Sequence, residues 1–237
     1  NPRAVVGVTS AAVRLARAYT GRDKVLCCGY HGWHDWYIGM TARDKGVPTA
    51  VKALTHTFAY NDIESVLAGL DGDVACVILE PMTFDFPEDG FLHELQRACR
   101  KNGSLLIFDE MWTGFRWALG GAQEYFGITP DLACYSKAIA NGMPLAVLTG
   151  RQEIMRLLDE DVFFFSTFGG EALSLAAAQA TITEMADYDV PAYLASQGHK
   201  LMDGYDQLAQ QLWIHDFTHC KGHPARSLVV FDPVAGD

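Results

Sequence analysis

Nowhere in its 237 residues does the sequence approach the ~18–20 consecutive apolar residues that a membrane helix requires. It carries no signal-peptide pattern either. The dipeptide Gly-Lys does not occur, so the phosphate-cradling loop GxxxxGK followed by Ser or Thr is missing from it. Basic residues are few: 18 Lys and Arg against 29 Asp and Glu leave a net charge of −11, with no basic tract. A surface of that sign repels nucleic acid and anionic membranes, and neither is expected as a partner. The six cysteines contain no CxxC pair, and several sit in apolar runs such as "VACVILE". They read as reduced, buried thiols, from which a cytoplasmic setting is expected. The chain opens on "NPRAVVGV", without Met, and stops at "VVFDPVAGD" just as a strand has formed, so a fragment of a longer protein is expected.

What is present is an alternation of helical and extended patterns. Apolar residues make up 49% and charged residues 20%, ordinary values for a globular enzyme. "TSAAVRLARAYTG" predicts a helix with Thr9 or Ser10 as N-cap and Gly21 as its stop. "NDIESVLAGL", "GFLHELQRACRKNG", "GEALSLAAAQATITEMADY" and "VPAYLASQGHKLMDGYDQLAQQL" predict four more helices. "KVLCCGY", "VACVILEP", "SLLIFDE", "PDLACYSK", "PLAVLTG" and "RSLVVFDP" are short apolar runs of the kind a buried strand shows. Continuous apolar strands between helices indicate an α/β fold with a mainly parallel sheet covered on both faces. Residues near 185–192 ("MADYDVP") form the expected boundary, with a large domain over 1–190 and the start of a second over 191–237.

Active sites in such sheets gather at the carboxyl ends of strands. Four strands end in candidates: Tyr30-His31, Glu80-Pro81, Asp109-Glu110 and Ser136-Lys137. A strand ending in two acids, as in "SLLIFDE", suits a magnesium-dependent ATPase, but the Gly-rich loop that reading needs is absent. It also suits a carboxylate set against a cofactor ring. That chemistry needs an amine, and Lys137 supplies one at a strand end where burial would lower its pKa and favour the neutral nucleophile. Pyridoxal phosphate (PLP) requires such an amine together with an acid that keeps its pyridine nitrogen protonated. His31, His34 and Asp35 make only a weak ligand set, with no further Cys or His cluster, and no metal is expected.

"ARAYTGRDKVLCCGYHGWHD", "VILEPM", "IFDEMWTGFR", "PDLACYSKAIANGMPL" and "STFGGEALSLAAA", in this order, resemble the class III (ornithine/ω-amino-acid type) PLP-dependent aminotransferases. The likeness is greatest to glutamate-1-semialdehyde aminomutase and its relatives, and it covers most of residues 9 to 185. It implies a fold-type I PLP enzyme whose second domain is mostly outside this sequence. The reaction implied is amino-group transfer between an amino donor and an aldehyde or keto acceptor, or within one molecule. It implies that Lys137 carries PLP as a Schiff base and shuttles a proton, and that Asp109 partners the pyridine nitrogen. Tyr30 would stack on the ring, with His31 and Gly32 completing the turn, and Glu80 would order the inner site. Met111 lies where the family has a small branched residue against the ring. Thr167 would reach the cofactor phosphate of a partner subunit, which implies a homodimer.

One departure concerns the phosphate. The family has a Gly-Ser or Gly-Thr turn before the first helix; here Val5 and Val6 fall in its place, with Gly7, Thr9 and Ser10 nearby. Racemisation or decarboxylation would use the same lysine and aspartate. A non-catalytic assembly subunit would explain the altered turn, while the intact Asp109 and Lys137 speak for an enzyme.

Overall fold

The computed structural model describes residues 2–88 and 90–232, with side chains from Gly7 onward, so the Val5–Val6 side chains lie outside the described residues. The strands are β1 (Lys24–Cys28), β2 (Thr55–Thr57), β3 (Val74–Leu79), β4 (Leu105–Asp109), β5 (Leu132–Tyr135), β6 (Val147–Gly150), β7 (Thr218–His223) and β8 (Arg226–Phe231). The helices are α1 (Pro2–Thr20), α2 (Asp35–Ile38), α3 (Thr49–Lys52), α4 (Ile63–Gly69), α5 (Phe91–Asn102), α6 (Gly121–Phe126), α7 (Gln152–Met155), α8 (Leu157–Glu160), α9 (Ala172–Asp187) and α10 (Val190–Gln211).

The first six strands form one sheet in the order β2-β1-β3-β4-β5-β6. Its first four pairings are parallel and the last, β5 with β6, is antiparallel. This is the mainly parallel α/β architecture expected from the apolar runs. All six residues of β3 are buried, because helices cover both faces of the sheet. The two faces follow the period of two along each strand. Val25, Cys27, Cys76, Ile78 and Ile107 join the core beneath α1, while Leu26, Val77, Leu79, Leu106 and Phe108 join the core beneath α5. All six cysteines are free, and burial pushes the Cys27 and Cys76 thiols up to about 12, so both stay protonated at neutral pH.

Several boundaries match the local chemistry. Asp62 caps α4 by accepting from the Ser65 amide at 3.1 Å, and Gly103 closes α5 in the left-handed region at φ 75°. Others differ. Helix α1 already begins at Pro2, a residue suited to a first turn because no N–H partner is needed there. Thr9 and Ser10 therefore lie inside the helix rather than capping it. The Thr9 hydroxyl donates to the His31 carbonyl at 3.0 Å, and Ser10 Oγ contacts His34 Nδ1 at 2.5 Å and accepts from Trp36 Nε1 at 2.9 Å. Strand β2 is a three-residue polar edge, and β7 pairs only with β8, so neither shows the apolar run of an interior strand. Between α9 and α10, Asp189 adopts φ 45° and its carboxylate accepts from the Ala192 amide at 3.5 Å.

Candidate active site

Four parallel strands running the same way bring their carboxyl ends to one edge of the sheet. Asp109, the last residue of β4, is only 2% exposed. Its Oδ2 lies 2.8 Å from His31 Nδ1, and its Oδ1 accepts the Met111 amide at 3.1 Å. The second ring nitrogen of His31 faces the Cys28 carbonyl at 3.0 Å, and the Trp36 indole lies nearly parallel to the ring, 6.3 Å away. The imidazole is thus fixed from both ends, and it fixes the carboxylate in turn. Gly32 makes the turn possible at φ 109° and is buried.

Glu80 follows β3 and is nearly buried. Gly29, at φ 100°, lies in the region that favours glycine, and a Cβ there would meet Glu80 Oε1 only at an ordinary contact distance of 3.4 Å. Glu80 Oε1 accepts from the Tyr30 amide at 3.4 Å. Burial, and then the negative charge of Asp109, push its carboxyl above the usual carboxylate range. Glu110 has a different job. Fully buried, it accepts from the amides of Ala122 at 2.9 Å and Gln123 at 3.0 Å and from the Thr113 hydroxyl. It ties the segment after β4 to the start of α6.

Lys137 follows β5 and opens a single 3-10 turn (Lys137–Ala140) in a left-handed conformation, φ 46°. The preceding Ser136 is anchored by its hydroxyl, which donates to the Leu145 carbonyl at 2.6 Å. The lysine is exposed, not enclosed as its place after an apolar strand predicts. The reason is geometric: β5 stops at Tyr135, and the turn lifts the side chain out of the strand into the open cleft. Its ammonium nitrogen rests 4.3 Å from the centroid of the Trp112 ring. Partial desolvation lowers its pKa, opposed by the charges of Asp109 and Glu80.

Tyr30 is exposed, 62% of its surface being free, and it meets Tyr37 edge to face at 5.6 Å. Met111 points into the core beneath α1. Thr167 lies on an exposed stretch between α8 and α9. The cap of α9 is neither Ser166 nor Thr167 but Glu171, whose carboxylate accepts from the amides of Leu173 at 2.9 Å and Ser174 at 2.7 Å. The amides of Leu173 and Ser174 are therefore taken, and the exposed Thr167 hydroxyl remains a donor that an anion could meet. Sequence reasoning missed three neighbours of Lys137: Trp112, Arg116 and Arg226. The one available signal was an arginine opening the apolar run "RSLVVF".

A family model described as aminotransferase class-III matches residues 8–219. The chain belongs to the class-III aminotransferase family. It is 38% identical over 201 residues to the 3-aminobutyryl-CoA aminotransferase of Cloacimonas acidaminovorans (strain Evry), covering 81% of this chain and 48% of that protein. It is also 38% identical over 236 residues to a glutamate-1-semialdehyde 2,1-aminomutase of Francisella philomiragia subsp. philomiragia, covering 90% of this chain and 53% of that protein. The chain spans about half the length of these curated relatives. Among solved structures, the FumI protein of Sphingopyxis sp. MTA144, determined with PLP, matches at TM-score 0.88 and 28% identity over 96% of this chain and 56% of its own. A glutamate-1-semialdehyde aminomutase from Pseudomonas aeruginosa PAO1 matches at TM-score 0.84 and 28% identity, covering 98% of this chain and 57% of that one. The class III resemblance and the fold-type I architecture read from the sequence both hold. Among the described residues no helix is long and apolar enough to cross a membrane.

Proposed function

We propose that this class-III chain forms most of the cofactor-binding part of a PLP enzyme. The enzyme would move an amino group between an amino donor and an aldehyde or keto acceptor, or within one molecule as an aminomutase. One observation carries the reading: a carboxylate sealed against a histidine at one strand end, facing a lysine amine at the next. The donor set suits PLP. Asp109 has acceptor capacity beyond the two bonds it makes. The Lys137 amine is accessible and partly desolvated, and Tyr30 offers an exposed aromatic face.

When bound, PLP supplies an electron sink for the carbanion at the reacting carbon. The residues of this chain do the rest. Asp109 holds a proton on the pyridine nitrogen by charge-assisted hydrogen bonding, and His31 keeps its carboxylate oriented. Lys137 Nζ would hold the cofactor through its aldehyde carbon, with loss of water, and once the substrate's amine had displaced it the freed lysine amine would take and return the proton at the substrate's amino-bearing carbon. Glu80 and Gly32 shape the wall beside it, with Met111 packed behind them in the core beneath α1. In the same reading residues 1–190 are the cofactor-binding large domain and 191–237 begin a second one. The protein is a cytoplasmic homodimer, and Thr167 meets the cofactor phosphate of the neighbouring subunit.

Borohydride treatment of the PLP-loaded protein, followed by peptide mass mapping, is expected to find the pyridoxyl group on Lys137. Its recovery on any other lysine would remove the assignment.

A further inference from the structure

The hairpin of β7 and β8 touches the Lys137 side of the molecule at its tip. His223 and Arg226 are its last register pair, so the turn between them has two residues, Pro224 and Ala225. Two-residue hairpin turns favour positive φ at their centre, where the backbone matches the twist of the strands. Proline is held near −65°, and Ala225 does not adopt a positive φ either, so backbone preference does not close this turn. The His223 imidazole closes it instead: Nδ1 accepts from the Ala225 amide, two residues on, at 3.1 Å. A ring nitrogen accepts only when it carries no proton, which fixes a neutral ring with its hydrogen on Nε2.

This turn is also what docks the hairpin. Arg116 Nη1 donates to the Ala225 carbonyl at 2.9 Å, and Arg226 Nη1 donates to the Met82 carbonyl and to Glu80 Oε2, each at 3.3 Å. Helix α10 backs it closely, since a Cβ on Gly198 would fall 1.8 Å from the Pro224 carbonyl oxygen. His223 is 6% exposed, its ring set among those of Trp117 at 5.1 Å, Tyr125 at 5.5 Å and Phe86 at 6.2 Å.

The charges around the ring disfavour a proton on it. Burial, and then His199 facing it from α10, lower its pKa. Arg226 is its cross-strand partner, and Arg116 is tied to Ala225. Lys221, on the same strand, is paired with Asp85 at 2.5 Å. Two acids, Glu124 and Asp189, line the cavity of about 720 Å³ that His223 also lines. Glu124 accepts from the Gly120 amide at 2.6 Å and Asp189 from the Ala192 amide at 3.5 Å. Neither forms an ion pair with His223 among the described residues.

We propose that His223 is a pH-sensitive latch: as a neutral acceptor it holds the hairpin tip against the cleft that contains Lys137, and its protonation in mild acid releases the tip. A proton on Nδ1 faces the Ala225 N–H, so the turn loses its acceptor and gains a buried cation near two arginines. The Arg116 and Arg226 contacts loosen together, because one turn carries both. The direction follows from linkage. An undocked histidine titrates near the ordinary 6.5, whereas the docked ring takes its proton only at lower pH. Docking is therefore at full strength above that value and weakens as pH falls below it, by up to about tenfold per pH unit, until the docked ring is itself protonated. The latch belongs to the hairpin and holds whether or not the amino-transfer reading does.

Hydrogen exchange of the full-length protein, followed by mass spectrometry on peptides covering 217–228, tests it between about pH 7.5 and about pH 5. Protection, corrected for the intrinsic exchange rate, should fall about tenfold in the unaltered protein while β3 keeps its own. His223→Asn sets an amide oxygen where Nδ1 stands, able to accept the same amide without titrating, and its protection should stay high and flat. His223→Ala has no acceptor and should be weakly protected at every pH. Flat protection in the unaltered protein overturns the proposal, and so does an undiminished decline in His223→Asn. A decline shared equally by β3 would be general acid unfolding and would overturn it too. The unaltered protein and the asparagine variant decide the matter even if the alanine variant does not fold.

Discussion

The floor and the rim of the site are built by different rules. At the floor, His31 and Asp109 are each 2% exposed, and every ring nitrogen and carboxylate oxygen has a partner supplied by the chain itself. At the rim, Lys137, Tyr30 and Thr167 are exposed and rest on few contacts. The floor is preorganised by folding, so its polarity is set before anything binds, and little reorganisation is needed during reaction. In the proposed function the rim depends on what arrives: cofactor, substrate or a second subunit. A defect in the floor should therefore show as lost chemistry, and a defect in the rim as lost binding.

The sharpest way to break that contrast is Asp109→Asn. The volume hardly changes and the amide oxygen can still accept from His31 or from the Met111 amide, though not from both, so the fold should survive with an unchanged circular dichroism spectrum. The charge that holds a ring proton is gone, and turnover of the full-length enzyme should fall by on the order of 10²-fold or more. Unchanged turnover would show that the floor is structural only. At the rim, Thr167→Val should leave the chemistry intact but weaken PLP by roughly 1–3 kcal/mol, the cost of an unmet hydrogen bond to a charged group. Equilibrium dialysis, with sedimentation run alongside to follow the dimer, measures it. A monomer retaining PLP stoichiometrically would contradict the shared site.

The smallest effect tests the wall between floor and rim. Burial, followed by Asp109, raises the Glu80 carboxyl above 4.5. The folded chain then keeps a proton there that the unfolded chain has released, so stability from this group falls as pH climbs from the unfolded value toward the folded one. Glu80→Gln cannot ionise and should flatten the decline, its stability gaining on the unaltered protein through that window and levelling off above it. Urea melts stepped from about pH 4 to about pH 8 would reveal it. A difference constant with pH would mean that Glu80 ionises as freely folded as unfolded.

Much of this was readable in the residues. The apolar runs that became β1, β3, β4 and β5 carry the sheet, and their carboxyl ends hold Tyr30, His31, Glu80, Asp109 and Lys137. What escaped was of two kinds. Polar edges such as β2 lack the two-sided apolar signal that marks an interior strand. Tertiary pairings leave no local trace: Thr9 serves the His31 carbonyl from within α1, and Arg226 meets Glu80 from a distant hairpin. The exposure of Lys137 was hidden for a related reason, since an apolar strand says what precedes the lysine and nothing about the turn that carries it outward.

That turn has a consequence for how this position evolves. A lysine at φ 46° occupies a region that costs a side-chain-bearing residue about 1–2 kcal/mol, whereas glycine and, to a lesser degree, asparagine occupy it with ease. Selection for stability alone would thus drive position 137 toward glycine; under the proposed function, the chemistry of the amine is what holds the lysine in place. A homologous chain with the floor intact but glycine or asparagine at this site has relaxed in that direction. Such a substitution marks the point in a lineage where the fold was kept and the chemistry given up.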